Sequence, residues 1–144
     1  MSEAGFVLDP RLAGDTAPVA ELALCRVLRM DDARWPWLIL VPRRAGMREL
    51  VDLSPADQQA LTDEIARASR ALQTLFSPDK LNVAALGNVV EQLHIHVVAR
   101  FRDDPAWPAP VWGFQPGERR AVGQRETRIA ELRQALELPA ATGE

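Results

Sequence analysis

A chain of 144 residues that is 47% hydrophobic and 26% charged has the balance of an ordinary folded domain, which excludes a fibrous or a disordered chain. A net charge of −3 argues against broad binding to nucleic acid or to an anionic membrane surface. The single cysteine, Cys25, excludes an internal disulfide framework and cannot by itself supply a zinc cluster, so the cytoplasm is the expected compartment.

The first fifteen residues carry acids where a secretory leader has a basic region, so no signal peptide is read there. Gly5, Pro10, Gly14 and Pro18 punctuate residues 1–20 and predict an irregular lead-in, or one short element around Phe6-Val7-Leu8. Residues 21–30 mix Leu22, Leu24, Val27 and Leu28 with Arg26 and Arg29, which predicts a strand with one better-buried face. Asp31-Asp32-Ala33-Arg34 is a turn. Residues 37–41 form a continuous apolar run stopped by Pro42, as in a central strand whose pairing ends where proline offers no N–H. The two strands make a hairpin with Asp31 and Asp32 at its tip. Even counted from Trp35, the apolar run is far too short to span a membrane.

A helix is predicted over residues 55–76. Ser54 can cap its free N–H groups, Pro55 fits the first turn and Asp57 suits the positive dipole end. Leu61, Ile65, Ala68, Leu72 and Leu75 recur at helical spacing, with Asp63, Glu64, Arg67 and Arg70 largely off that stripe. Ser77-Pro78-Asp79 ends the helix. Residues 81–86 resume strand character, and Gly87-Asn88 is hairpin punctuation.

The stretch 91–101 reads as the next strand, and its side chains alternate faces. Leu93, Ile95, Val97 and Ala99 share one face and look like core. Gln92, His94, His96, Val98 and Arg100 share the other, so the only two histidines of the chain stand side by side with an amide and a guanidinium in line. Residues 102–113 are too rich in proline for a helix or central strand and predict an extended segment, with Trp107 and Trp112 buried against the body or against a partner subunit. Ile129, Leu132 and Leu136 mark a polar C-terminal helix over 118–138 with one narrow apolar seam. This order of elements predicts an α+β fold: an antiparallel sheet with one long core-packing helix on one face, plus a C-terminal helix. One domain is expected over 1–144, its core at about 20–104 and a C-terminal extension over 105–144.

Three chemistries use His-x-His on a strand. A divalent metal site needs a third ligand, and here Cys25 is the only thiol, Glu91 points to the other face and Gln92 is a poor zinc ligand, so a remote acid would have to serve. Nucleophilic attack on phosphorus by a neutral imidazole needs an acceptor on the other ring nitrogen and donors for the non-bridging oxygens. General acid–base work without a covalent step uses the same geometry.

The stretch Gln92-Leu93-His94-Ile95-His96-Val97-Val98-Ala99-Arg100 resembles the signature of the histidine triad (HIT) superfamily of nucleotide hydrolases and transferases, His-φ-His-φ-His-φ-φ with φ apolar. The resemblance extends to Leu38-Ile39-Leu40-Val41-Pro42-Arg43, the 54–76 helix, Asn82, the Gly87-Asn88 turn and the Trp107-Pro108 pair, in the family's order. It implies that His94 attacks the α-phosphate to form a nucleotidyl–histidine intermediate and that His96 hydrogen-bonds the phosphate. By the same resemblance Asn82 falls near the family's polar residue that contacts phosphate and Asp31 near the acid that binds the ribose hydroxyls, and Asn88 counts with Gln92 and Arg100 among the substrate-binding residues. Arg100 is read either as steering phosphate or as pairing with Asp103. The implied substrates are purine nucleotides such as dinucleoside polyphosphates or nucleoside phosphoramidates, with no metal or cofactor, and the implied assembly is a homodimer. Two departures stand out: Gln92 replaces the first histidine of the motif, and Arg44-Ala45-Gly46 stand where many members carry a histidine after Val-Pro-Arg. Gln92 keeps a carbonyl to orient His94 and an amide to donate, but cannot titrate near neutrality. The alternatives are a catalytically weak nucleotide-binding regulator of the same fold and a metal-dependent hydrolase using His94 and His96.

Overall fold

The computed structural model describes residues 4–114, 117–121, 124 and 127–137. The chain runs through α1 (Pro10–Asp15), β1 (Thr16–Glu21), β2 (Cys25–Met30), β3 (Trp37–Pro42), α2 (Pro55–Phe76), β4 (Lys80–Ala84), β5 (Ile95–Arg100) and α3 (Ile129–Glu137). The strands form one five-stranded sheet in the order β1-β2-β3-β5-β4, with every pair antiparallel. The fold is therefore α+β, as the sequence pattern predicts.

The sheet is covered on both faces, which explains why β3 is an unbroken apolar run rather than an alternating one. Leu38 and Leu40 pack with Leu93, Ile95, Val97 and Ala99 against Leu61, Ala68 and Leu72 of α2 and Leu132 and Leu136 of α3. Trp37, Ile39 and Val41 pack the other way, with Leu28, Val98, Trp35, Ala106, Val111 and Leu12 of α1. Among the described residues no helix is long and apolar enough to cross a membrane.

Helix α2 forms where its caps dictate. Ser54 accepts from the Asp57 N–H, Pro55 occupies the first turn, and Ser77 closes the helix in the left-handed conformation at φ 49°. Glu64 departs from the expected polar face: it is buried, and its two carboxylate oxygens accept the backbone N–H groups of Leu24 and Cys25 at 2.9 and 2.8 Å. The segment before β2 is in hydrogen-bonding reach of the helix, so a carboxylate there satisfies two buried donors at once. Burial, and then the neighbouring Glu64, raise the Cys25 thiol far above its ordinary value, so it is an inert core group.

Several boundaries differ from the sequence pattern: β2 opens at Cys25 rather than at residue 21, and β4 spans Lys80–Ala84 rather than 81–86. Residues 10–21 are not an irregular lead-in but α1 and β1; Pro18 is tolerated because β1 is an edge strand, and the pairing register slips between Pro18 and Ala20. The Gly87-Asn88 pair lies in a ten-residue connection between β4 and β5 rather than in a tight two-residue hairpin. The C-terminal helix begins at Ile129, not at residue 118, and position 138 lies outside the described residues; residues 117–121 belong to no helix or strand.

Candidate active site

Strand β5 opens at Ile95, one residue after His94, and is paired with β3 so that His96 stands opposite Ile39. The alternation persists two residues beyond the strand, through His94 and Leu93. Leu93 and Ile95 enter the helix-side core, and His94 and His96 emerge together on the opposite face, both buried, with His96 against the rings of Trp37 and Trp112. Their rings lie 4.9 Å apart and close to perpendicular.

The two rings have opposite proton positions. His94 Nδ1 is 2.7 Å from the backbone oxygen of Gln92. A carbonyl only accepts, so Nδ1 carries the hydrogen, and in the neutral ring Nε2 keeps its lone pair. At His96 the logic is reversed. Trp37 Nε1 donates to His96 Nδ1 at 3.0 Å, and an indole N–H can only donate, so His96 carries its proton on Nε2. Burial, and then the nearby His94, push the His96 pKa down to about 4, so at neutral pH it is an uncharged donor. The Trp37 and Trp112 rings meet the His96 ring at 5.7 and 5.3 Å and exclude water from it on two sides.

Both histidines line a cavity of about 590 Å³. Asp31 and Asp32, at the tip of the β2–β3 hairpin, stand on its wall, and so does Asn88 of the β4–β5 connection. Asp31 accepts from the Arg120 N–H at 3.0 Å and from Arg119 Nη1 at 3.1 Å, so the described part of the C-terminal segment is fastened to the hairpin tip. Asp32 takes a two-pronged contact from Arg34, at 3.0 and 2.9 Å, and Arg34 lies 4.6 Å over the Trp35 ring. A smaller hollow of about 270 Å³ shares His94, Leu86 and Gly87 with the main cavity and is walled by Arg48, Leu50 and Val51. Among the described residues no three His, Cys, Asp or Glu side chains gather to hold a metal ion.

Three of the expected binding residues are engaged elsewhere. Gln92 is absent from the wall of the main cavity and lines the smaller hollow instead, with its amide already bonded: Oε1 accepts from the Asp9 N–H at 2.9 Å and Nε2 donates to the Val7 carbonyl at 2.8 Å. Gln92 precedes the strand, so strand parity does not govern it. Asn82 and Arg100 satisfy each other instead of a phosphate, Arg100 Nη1 donating to Asn82 Oδ1 at 2.8 Å. Arg100 is 1% exposed and also grips Asp104, not Asp103, at 2.8 and 3.1 Å, and the Ala109 carbonyl at 2.8 Å. A guanidinium with that many acceptors inside the protein holds the 101–109 segment to the sheet. Trp112 covers its own chain, packing on Trp37 and His96, while Trp107 lies within 5.7 Å of the Arg100 guanidinium. These tryptophans therefore give no independent reason to expect a second subunit.

Sequence reading missed Trp37, Trp112, Arg34 and Arg119 as parts of the site. Trp37 reads as core in a continuous apolar run, and only the β3–β5 register brings it to His96. Arg119 belonged to a stretch expected to be helical.

A family model described as HIT domain matches residues 13–103. No curated protein matches the chain. Among solved structures, a histidine triad protein from Sinorhizobium meliloti is 43% identical, with 93% of this chain and 99% of that chain covered and a TM-score of 0.89. One from Bradyrhizobium japonicum is 44% identical, with coverages of 91% and 98% and a TM-score of 0.88. One from Marinobacter aquaeolei is 48% identical, with coverages of 92% and 96% and a TM-score of 0.88.

Proposed function

The chain belongs to the HIT domain family, and from that premise we propose that it is a nucleotide hydrolase or nucleotidyl transferase that cleaves at the α-phosphate of a nucleoside 5′-phosphoryl substrate. The observation that carries the reading is the pair of opposite tautomers. His94 offers a bare Nε2, made more nucleophilic by the Gln92 carbonyl on Nδ1, and His96 offers a neutral Nε2–H to a phosphate oxygen. On this reading the nucleotide enters the main cavity, where the ribose hydroxyls are assigned to Asp31 and a substrate contact to Asn88, both residues of its wall.

In the first step His94 Nε2 attacks the α-phosphorus, forming a P–N bond as the bond to the leaving group breaks. The Nδ1–H, tied to the Gln92 carbonyl, stabilises the positive charge that develops on the ring. Water then attacks the same phosphorus, the P–N bond breaks, and the nucleoside monophosphate leaves. The smaller hollow beside His94 is the place we assign to the leaving group, a nucleoside polyphosphate that departs as an anion or an amine that takes a proton from solvent water as it leaves. With its amide already bonded to Val7 and Asp9, Gln92 cannot protonate that group, so good leaving groups should react best.

The protein is further proposed as a homodimer, supported by exposed Val83 on the edge strand β4 and by exposed Leu50, Val51 and Leu86, and as cytoplasmic, supported by its single cysteine. Light scattering that returned a monomer would remove that assembly.

The test of the reaction is a short pulse of a radiolabelled dinucleoside polyphosphate or nucleoside phosphoramidate, quenched in base. Acid-labile, alkali-stable label on the wild type and none on His94→Ala is the expected result. A protein that binds nucleoside monophosphate yet traps no label and shows no turnover would instead be the nucleotide-binding regulator.

A further inference from the structure

The side chain that replaces the first histidine of the motif makes two hydrogen bonds to backbone more than eighty positions away. Its oxygen takes the Asp9 N–H and its nitrogen gives to the Val7 carbonyl, so the amide brackets Leu8 as a neighbouring strand's peptide group would. What it holds in place is an element with little support of its own. Helix α1 has six residues, of which only Leu12 is buried, and it is capped at its N-terminus by the Asp9 carboxylate accepting from Arg11 N–H at 2.8 Å. A helix so short does not persist in water without tertiary anchors. Phe6 and Leu8, partly buried, pack on the same apolar cluster as Trp37. Further along, Leu12 and Asp15 form part of the wall of the main cavity.

We propose that Gln92 is a positioning residue of the nucleotide site, whose side-chain amide fastens residues 6–9 and thereby holds α1 as a wall of the cavity. Resting as it does on the reading of that cavity as the nucleotide site, the proposal separates two jobs within one residue. The main-chain carbonyl serves His94, and any residue at position 92 supplies it. The side chain serves the wall, and this needs a donor and an acceptor diverging from one carbon, which a glutamine amide has and an imidazole ring does not reproduce in the same place. The replacement of a titratable ring by an amide is then a gain of a fixed wall, not merely a loss of an acid.

Three variants test it. Gln92→Met keeps the bulk and removes both bonds; Gln92→Glu keeps the acceptor for Asp9 N–H but sets a carboxylate against the Val7 carbonyl; Gln92→His restores the family residue. Hydrogen exchange read at the Asp9 amide and across 10–15 should accelerate at least about tenfold in Gln92→Met, with a smaller effect at Asp9 in Gln92→Glu. For a nucleoside phosphoramidate, KM should rise about fivefold in Gln92→Met and account for the larger part of the loss in kcat/KM, because the carbonyl on His94 is main chain and is retained; Gln92→His should show the same rise in KM, with any gain in kcat reporting the restored titratable ring. Unchanged exchange at Asp9 overturns the proposal, and so does a fall in kcat at constant KM, which would put the amide at the reacting atoms. A wild type that neither binds adenosine monophosphate nor turns over substrate would overturn the nucleotide reading, whereas the exchange measurement would still decide whether Gln92 fastens α1.

Discussion

Trp37 Nε1 donates to His96 Nδ1 across the β3–β5 strand pair, at 3.0 Å. That bond permits one neutral tautomer of His96 and is broken if the ring takes a second proton. The Nε2–H form should therefore be seen directly by long-range nitrogen–proton NMR of the imidazole. Trp37→Phe keeps an aromatic ring but no donor, and both tautomers should then populate. The loss of one oriented donor at the phosphate should lower the single-turnover rate about tenfold, equivalent to roughly 1.4 kcal/mol.

The buried His96 also links stability to pH. Its folded-state pKa, at about 4, lies below the ordinary imidazole value of 6.5, so between those values the unfolded chain binds more protons than the folded one. The contribution of the neutral ring is complete above pH 6.5 and is lost as pH falls towards 4. Chemical denaturation should show a loss of about 3 kcal/mol across that window. His96→Asn should show a shallower slope. An equal slope in the variant would assign the pH dependence to other groups.

Arg100 and Asp104 are expected to matter for stability. Their side chains are 2% and 4% exposed, and removing one leaves a buried charge unpaired. Arg100→Met should cost about 3–5 kcal/mol in urea unfolding. The double change Arg100→Met with Asp104→Leu should recover part of it, which a direct role of Arg100 at phosphate would not allow for catalysis.

Glu64→Gln tests the buried carboxylate of α2. The wild-type group accepts from the Leu24 and Cys25 N–H groups, whereas glutamine has one acceptor oxygen and turns its NH2 towards the second donor. A loss of about 2 kcal/mol is expected in thermal or urea melts, with nucleotide affinity unchanged.

Helix α2 could be read from sequence because its cap, its proline and its apolar stripe all agree, and strand β3 because a buried strand has no polar positions to confuse. The pairing of His94 with His96 on one face was legible from parity alone. Helix α1 was missed although Asp9-Pro10 is a helix-start signal, since six residues give no periodicity to detect. Gln92 was misplaced by treating it as strand, and Arg100 by counting its face without its partners. Trp37 and Arg119 could not be placed at the site without the sheet register and the course of the C-terminal segment, which are tertiary facts.

The HIT domain match ends at residue 103 and begins at 13, yet Leu12, Val111, Trp112, Gly113, Gly117 and Arg119 all stand on the cavity wall. Part of the enclosing surface thus lies outside the stretch that carries the two histidine rings. Grafting the two ends of a relative onto this chain should change which molecules the cavity admits while leaving His94 and His96 as they are, so that selectivity can drift at the margins without disturbing the centre.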